Sequence, residues 1–304
     1  MIEIALVNNM PDPALDATER QFRALLSAAG AERDVRLTLY SLPEVRRTEF
    51  GRSRTSRYAD IDELWGRRYD GLIVTGAEPQ TDDLRDEPYW GSLTRLLRWA
   101  DTSTYSTILS CLAAHAGILY LDGIERRPLE GKRFGIFECT RACEHPLTAS
   151  AQDQLRMPHS RWNDVSEDAL RACGYRVLTR SAEAGVDLFV KQRNTLFVFF
   201  QGHPEYDAIN LLLEYRRDIG RYLRFERDTY ASMPLGYFSE EIEAELLVLR
   251  ERAVRDRREE VLSGFPTETA AAQVINNWRP SAERVYRNWL AFLESAKRAQ
   301  LCPV

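Results

Sequence analysis

A cysteine at a strand-to-helix switch, and a histidine–carboxylate pair far downstream, are the residues of this sequence best suited to covalent chemistry. Ser106-Thr107-Ile108-Leu109 is short, apolar and partly β-branched, and reads as a buried strand. Cys111 follows it, and Ala113, Ala114, Ala116 and Gly117 are small enough for a helix to pack closely on a sheet. A sulfur at such a turn lies at a helix N-terminus, where backbone N–H groups and the dipole favour the thiolate. Gly202-His203-Pro204-Glu205 offers the rest: a base that the fold could bring to the sulfur, and a carboxylate to orient the ring. If that stretch is extended, its spacing puts His203 and Glu205 on one side. Plainer readings stand beside these. Cys111 could be a structural buried cysteine, and Glu205 a first-turn carboxylate of the next helix. His115, one helical turn after Cys111, is a rival base, although it shares the nucleophile's own helix.

The elements that must position these groups alternate in type. Ile2 to Val7 reads as a strand, Ala17 to Ala29 as a helix closed by Gly30, and Val35 to Leu42 as a strand. Glu44 to Tyr58 is Arg-rich with little apolar content and reads as a surface loop. Gly71 to Gly76 is a central strand running into a glycine turn, and a helix around Tyr89 to Ala100 leads to the strand before Cys111. This rhythm predicts a parallel sheet with helices on both faces. Asp187 to Lys191 and Leu196 to Gln201 form an expected hairpin whose second strand delivers His203. Helices are expected over Asp207 to Leu223, Glu240 to Val261 and Ser281 to Ala299. Ligands bind at the carboxyl ends of strands in such sheets, and three of those ends carry Thr75-Gly76-Ala77, Ser110-Cys111-Leu112 and Gly202-His203.

Composition sets the frame. The chain has 304 residues, 44% of them apolar, and a net charge of −5. That balance fits a globular protein and argues against non-specific binding to nucleic acid. Five irregularly spaced cysteines and the absence of a leader or membrane-length segment make a reducing cytoplasm the expected compartment, with no membrane partner. Cys139, Cys143 and His145 lack a second half and a fourth ligand, so no metal is expected. Of Arg216 and Arg217, one is expected to be solvated; the other could point to the cleft and hold a carboxylate by a bidentate contact. Lys132, on composition alone, is an ordinary surface lysine.

Several blocks, in order along almost the whole chain, carry a family resemblance. They are Asn8-Asn9-Met10-Pro11, Thr18-Glu19-Arg20-Gln21-Phe22, Gly71-Leu72-Ile73-Val74-Thr75-Gly76-Ala77, Lys132-Arg133-Phe134-Gly135-Ile136-Phe137-Glu138, Pro158-His159-Ser160-Arg161, Gly202-His203-Pro204-Glu205-Tyr206-Asp207 and Asn288-Trp289-Leu290. With them the chain resembles the homoserine O-acyltransferases of the succinyltransferase type, in the class I glutamine amidotransferase-like superfamily. The expected fold is α/β and flavodoxin-like: a doubly wound, mostly parallel sheet with helices on both faces and a C-terminal helical extension. One domain over 1–304 is expected, with a helical appendage at about 228–299.

The resemblance implies a Cys111–His203–Glu205 triad and ping-pong acyl transfer from acyl-CoA, a co-substrate, to the hydroxyl of homoserine, with no cofactor. It implies an oxyanion hole from the backbone of Ala77 and Leu112, an acceptor-carboxylate contact at Arg217, and pocket roles for Lys132 and Ser160. The residue at Gln80 would help to select the acyl group; uncharged but bulky, it leans toward succinyl over acetyl. Leu112 and His115 stand where the family usually has tryptophan and glutamine. A homologue acylating another hydroxy amino acid such as serine, or a cysteine hydrolase or glutaminase of the same superfamily, is the alternative. A homodimer is expected.

Overall fold

The computed structural model describes residues 1–150 and 154–301. In chain order the elements are β1 (Ile2–Val7), α1 (Leu15–Gly30), β2 (Val35–Tyr40), α2 (Glu49–Thr55), α3 (Ile61–Trp65), β3 (Gly71–Val74), α4 (Trp90–Ser103), β4 (Ser106–Ser110), α5 (Leu112–Asp122), β5 (Arg127–Arg141), β6 (Gln154–Asp164), α6 (Glu167–Ala172), β7 (Arg176–Ser181), β8 (Gly185–Gln192), β9 (Leu196–Phe200), α7 (Asn210–Leu223), α8 (Glu240–Arg255), α9 (Thr267–Gln273) and α10 (Arg279–Leu301). The strands form one nine-stranded sheet in the order β2-β1-β3-β4-β9-β8-β7-β5-β6. From β2 to β9 neighbours run parallel; from β9 to β6 they run antiparallel.

Period-two alternation on the central strands builds the core on both faces. Leu72 and Val74 of β3, Leu109 of β4, and Phe197 and Phe199 of β9 point into one apolar cluster with α4 and α5. Ile73, Ile108, Val198 and Phe200 point the other way, onto α1 and α10. Close approach explains two glycines. A Cβ on Gly117 would stand 2.4 Å from Leu109, so α5 lies tight on the strand that leads to Cys111. A Cβ on Gly71 would meet Trp289 of α10 at 2.8 Å. A third cluster joins α7, α8 and α9 to Phe134 of β5, while α10 returns to the sheet beside α1.

Several expectations need correction. The segment from Glu44 to Tyr58 is not plain surface loop. It contains the seven-residue α2, capped by Thr48, whose hydroxyl accepts from Gly51 N. Arg47 beside it is buried, bonding the carbonyls of Asn8 and Met10 and the Asp12 carboxylate. The charged helix expected from Glu240 to Val261 ends at Arg255, and a 3-10 segment follows over Glu259–Gly264. The helix after Glu205 begins at Asn210, not Asp207. Strands β5, β6 and β7 add to the expected set, and β5 shows why they leave little mark in the sequence: it is charged and half-solvated along most of its length, so its alternation is weak. Among the described residues no helix is long and apolar enough to cross a membrane.

Candidate active site

Cys111 occupies the sharp turn between β4 and α5. Its backbone takes φ 52 and ψ −110, a region that L-residues with a side chain rarely adopt, and its N–H is fixed to the Phe200 carbonyl at 2.8 Å. The turn leaves the sulfur partly exposed beyond the end of β4 and at the head of a helix. The glycine turn after β3 is pressed against it: a Cβ on Gly76 would come within 2.8 Å of Leu112 Cβ and 3.2 Å of its nitrogen. Leu112 is the first residue of α5, so its N–H has no partner within the helix. The backbones of Leu112 and of Gly76 therefore lie against each other beside the Cys111 turn.

His203 and Glu205 meet, though not by the extended geometry expected. The segment after β9 turns, with Tyr206 N bonding the His203 carbonyl at 3.2 Å, and the turn brings His203 Nδ1 to 2.9 Å from Glu205 Oε1. Both side chains are buried, and Glu205 lies five residues before α7, so it is no first-turn carboxylate. The loop is clamped from below: His203 N bonds the Pro158 carbonyl and Gln201 N the Asp187 carbonyl, at 2.8 and 2.9 Å. Gly202 has no room for a side chain there, since a Cβ would stand 2.4 Å from Met157. Burial by itself would lower the His203 pKa, but negative charge on Cys111 and Glu205, together with hydrogen bonds to both, holds it well above its ordinary value. The protonated imidazole is thus favoured at His203, beside the Cys111 sulfur.

His115 is excluded as the base by its surroundings. It is buried, its Nε2 lies 2.8 Å from Gln201 Oε1, and burial pushes its pKa down to about 4. Gln201 in turn donates to the Asp164 carboxylate at 3.1 Å and to the Val186 carbonyl at 2.7 Å, and Asp164 pairs with the buried Arg161 at 3.0 Å.

Lys132, Ser160 and Arg217, from three different elements, converge on one carboxylate that the sequence reading missed. Glu214 of α7 accepts from Ser160 Oγ, from Tyr206 OH at 2.6 Å and from Lys132 Nζ at 3.2 Å, with an Arg217 nitrogen 3.6 Å away. Burial would raise the Glu214 pKa, yet these cations and donors lower it. Lys132 is no surface lysine: its side chain is 5% exposed and also pairs with Asp218 at 2.7 Å. Arg217 is half-exposed and held by Asp218 at 2.9 Å. Lys132, Arg217, Asp218 and Arg221 line a cavity of about 270 Å³. The i, i+3, i+4 spacing of Glu214, Arg217 and Asp218 marked one helix face; only the fold shows that it faces Lys132. The Tyr206 ring stacks on the His203 ring, so this cluster adjoins His203.

The loop after β3 is tied down by a buried acid. Glu87 Oε1 accepts from Gln80 N at 2.6 Å, and from Thr81 N and Oγ1 at 2.8 Å. The Gln80 side chain is exposed and lines a cavity with Asn9, Val45 and Tyr89, apart from the one bordered by Lys132. Glu78 reaches across to Arg221 of α7 at 3.0 Å.

The Cys139–Cys143–His145 run does not gather. His145 Nδ1 accepts from Leu147 N at 3.2 Å, while the Cys143 thiol faces the Val177 carbonyl. Among the described residues, Cys139, His159 and Asp187 do bring ligand atoms within 4.8 Å of one another. Arg161 Nε donates to His159 Nδ1 at 3.3 Å, and His159 Nε2 faces Asp187 Oδ1 at 3.3 Å.

The sequence profile described as homoserine O-succinyltransferase (HTS) matches residues 1–299. The chain is 47% identical to a homoserine O-succinyltransferase of Rhodopseudomonas palustris over 97% of its length and 89% of that protein's. It is 46% identical to one of Methylorubrum extorquens, over 96% of this chain and 87% of the other. A solved glutamine amidotransferase of Thermotoga maritima superposes with a TM-score of 0.52 at 14% identity, covering 96% of this chain and 98% of that one, which establishes the shared fold.

Proposed function

Because the chain belongs to the homoserine O-succinyltransferase family, we propose that it moves a succinyl group from succinyl-CoA to the hydroxyl of homoserine through a thioester on Cys111. The observation that carries this reading is the buried His203–Glu205 pair, 2.9 Å apart, with His203 hydrogen-bonded on to the partly exposed Cys111. The Cys111 thiolate attacks the thioester carbonyl, and N–H groups of Leu112 and Ala77 stabilise the oxyanion. The carbonyl re-forms as the bond to CoA breaks, and the CoA sulfur takes the proton from His203. The homoserine hydroxyl then gives its proton to the neutral His203 as its oxygen attacks the acyl carbon, and Cys111 leaves as thiolate. Glu205 keeps the imidazole oriented in both halves.

In this reading acyl-CoA is a co-substrate and no resident cofactor takes part. The acceptor occupies the cavity beside Glu214, with its ammonium toward Glu214 and its carboxylate toward Arg217, while Lys132 and Ser160 fix the Glu214 carboxylate. Mass spectrometry of the intact protein mixed with succinyl-CoA tests the reading: it should gain one succinyl group on Cys111, and homoserine should discharge it. Discharge by serine in preference to homoserine would reassign the acceptor, and absence of an acyl-protein from any acyl-CoA would overturn the mechanism.

A further inference from the structure

A second cavity, of about 280 Å³, opens along the nucleophile's own helix. His115 and Leu119 form one wall; Arg85, Arg126 and Leu84, with the acidic Asp82, Asp83 and Glu125, form the rest. His115 and Leu119 stand one and two turns beyond Cys111 on α5, so this wall is the helix face that runs away from the sulfur. The opposing loop is the continuation of the Gly76 turn that packs on Leu112.

The two arginines of this cavity differ. Arg85 is neutralised by Asp83 and Glu125, at 2.7 and 3.0 Å. Arg126 donates only to a main-chain carbonyl, that of Asp82, at 3.0 Å, and among the described residues it has no carboxylate within ion-pair distance. It is half-buried, and burial pushes the guanidinium pKa down from its ordinary value. Taking a cation partly out of water is costly. The carboxylates of Glu87, Asp82 and Asp83 offset part of that cost from a distance, but none of them occupies the guanidinium's fork. His115, neutral above acid pH, brings no competing charge to the same wall.

We propose that Arg126 receives the free carboxylate of a dicarboxylic acyl group while that group is carried on Cys111, its methylenes lying along His115. The inference rests on the acyl-cysteine reading above. The reach agrees: a four-carbon diacid esterified to sulfur carries its carboxylate about one helical turn away, roughly 5–6 Å, and His115 is one turn from Cys111. A guanidinium takes a carboxylate through two parallel hydrogen bonds, which an acyl group ending in methyl cannot use. Arg126 would therefore be a specificity-determining residue for the donor.

The test compares succinyl-CoA with butyryl-CoA, its uncharged four-carbon counterpart. Acyl loading of the intact protein is followed by rapid-quench mass spectrometry for the parent, Arg126→Gln and Arg126→Lys. Arg126→Gln should lower the ratio of succinyl to butyryl loading rates roughly ten- to a hundredfold. Arg126→Lys, which keeps the charge but loses the fork, should fall between. An unchanged ratio in Arg126→Gln overturns the assignment and leaves the acyl-cysteine reading standing, since the parent still loads. A parent that loads neither donor overturns that reading and this one with it. Should Arg126→Gln fail to fold, Arg126→Lys decides: a fall in the ratio supports the assignment and an unchanged ratio overturns it.

Discussion

The ring of Tyr206 lies flat on the ring of His203, with 4.2 Å between centroids and 16° between planes, while its hydroxyl donates to Glu214 at 2.6 Å. One side chain thus joins His203 to the Glu214 cluster, which we propose binds the acceptor. Tyr206→Phe keeps the stacking and loses the hydroxyl. The KM for homoserine should rise roughly tenfold, the worth of a hydrogen bond to a charged group, and more than loading of Cys111 slows. Steady-state kinetics with each substrate varied would check this; an effect confined to loading would contradict it.

Cys111→Ala should remove acyl transfer by several orders of magnitude, because no second nucleophile replaces the sulfur. The variant should retain the far-UV circular dichroism of the parent. Residual turnover above a few per cent would assign the acyl group to another residue.

His203→Asn should slow loading by about 10²–10⁴-fold, the usual worth of a general base. His115→Gln is the informative comparison, since His115 faces Gln201 and not the imidazole line. Greater damage from the second change would reverse the assignment.

Arg217→Lys should raise the KM for homoserine far more than that for the acyl-CoA, because a point charge does not reproduce a planar fork. The control is homoserine's amino alcohol, which lacks the carboxylate. If the parent uses it as well as homoserine, Arg217 does not bind that group.

Acid should destabilise the fold through three histidines that burial favours in the neutral form, His115, His145 and His159. His115 and His145 are both lowered to about 4, in each case first by burial. Each is neutral in the folded chain and takes up a proton near its ordinary pKa once unfolded. Their contribution is complete above that value, about 6.5, and is lost as pH falls from there toward 4. For the fully buried His115 the loss is on the order of 2–3 kcal/mol. Urea midpoints measured between pH 7 and 4.5 should fall less steeply in His115→Gln than in the parent. Equal slopes would show that His115 does not titrate between the two states.

The central strands, the elbow at Cys111 and the His203–Glu205 pair were legible because each is local: β-branched runs, small residues after a cysteine, and two partners two positions apart. The geometry that joins His203 to Glu205 was misjudged, since proline and a turn, not an extended strand, bring them together. The acceptor cluster was legible only in pieces. Nothing local says that Lys132, on a charged and half-solvated strand, finds Glu214 on a helix 82 positions later. The β5–β6 ribbon was hidden for the same reason: it lies at the edge of the sheet, where one face stays wet and the apolar alternation fades.

The backbone at Cys111 also bears on how this chain is selected. A residue with a side chain at φ 52, ψ −110 costs the fold about 1–3 kcal/mol. Glycine would relieve that strain and lose only a partly exposed sulfur, so the protein should be more thermostable, and inert, with glycine at this position. Screens that reward melting temperature alone would drift toward that inert form. Thermostabilised versions of this enzyme should therefore be sought with position 111 held fixed.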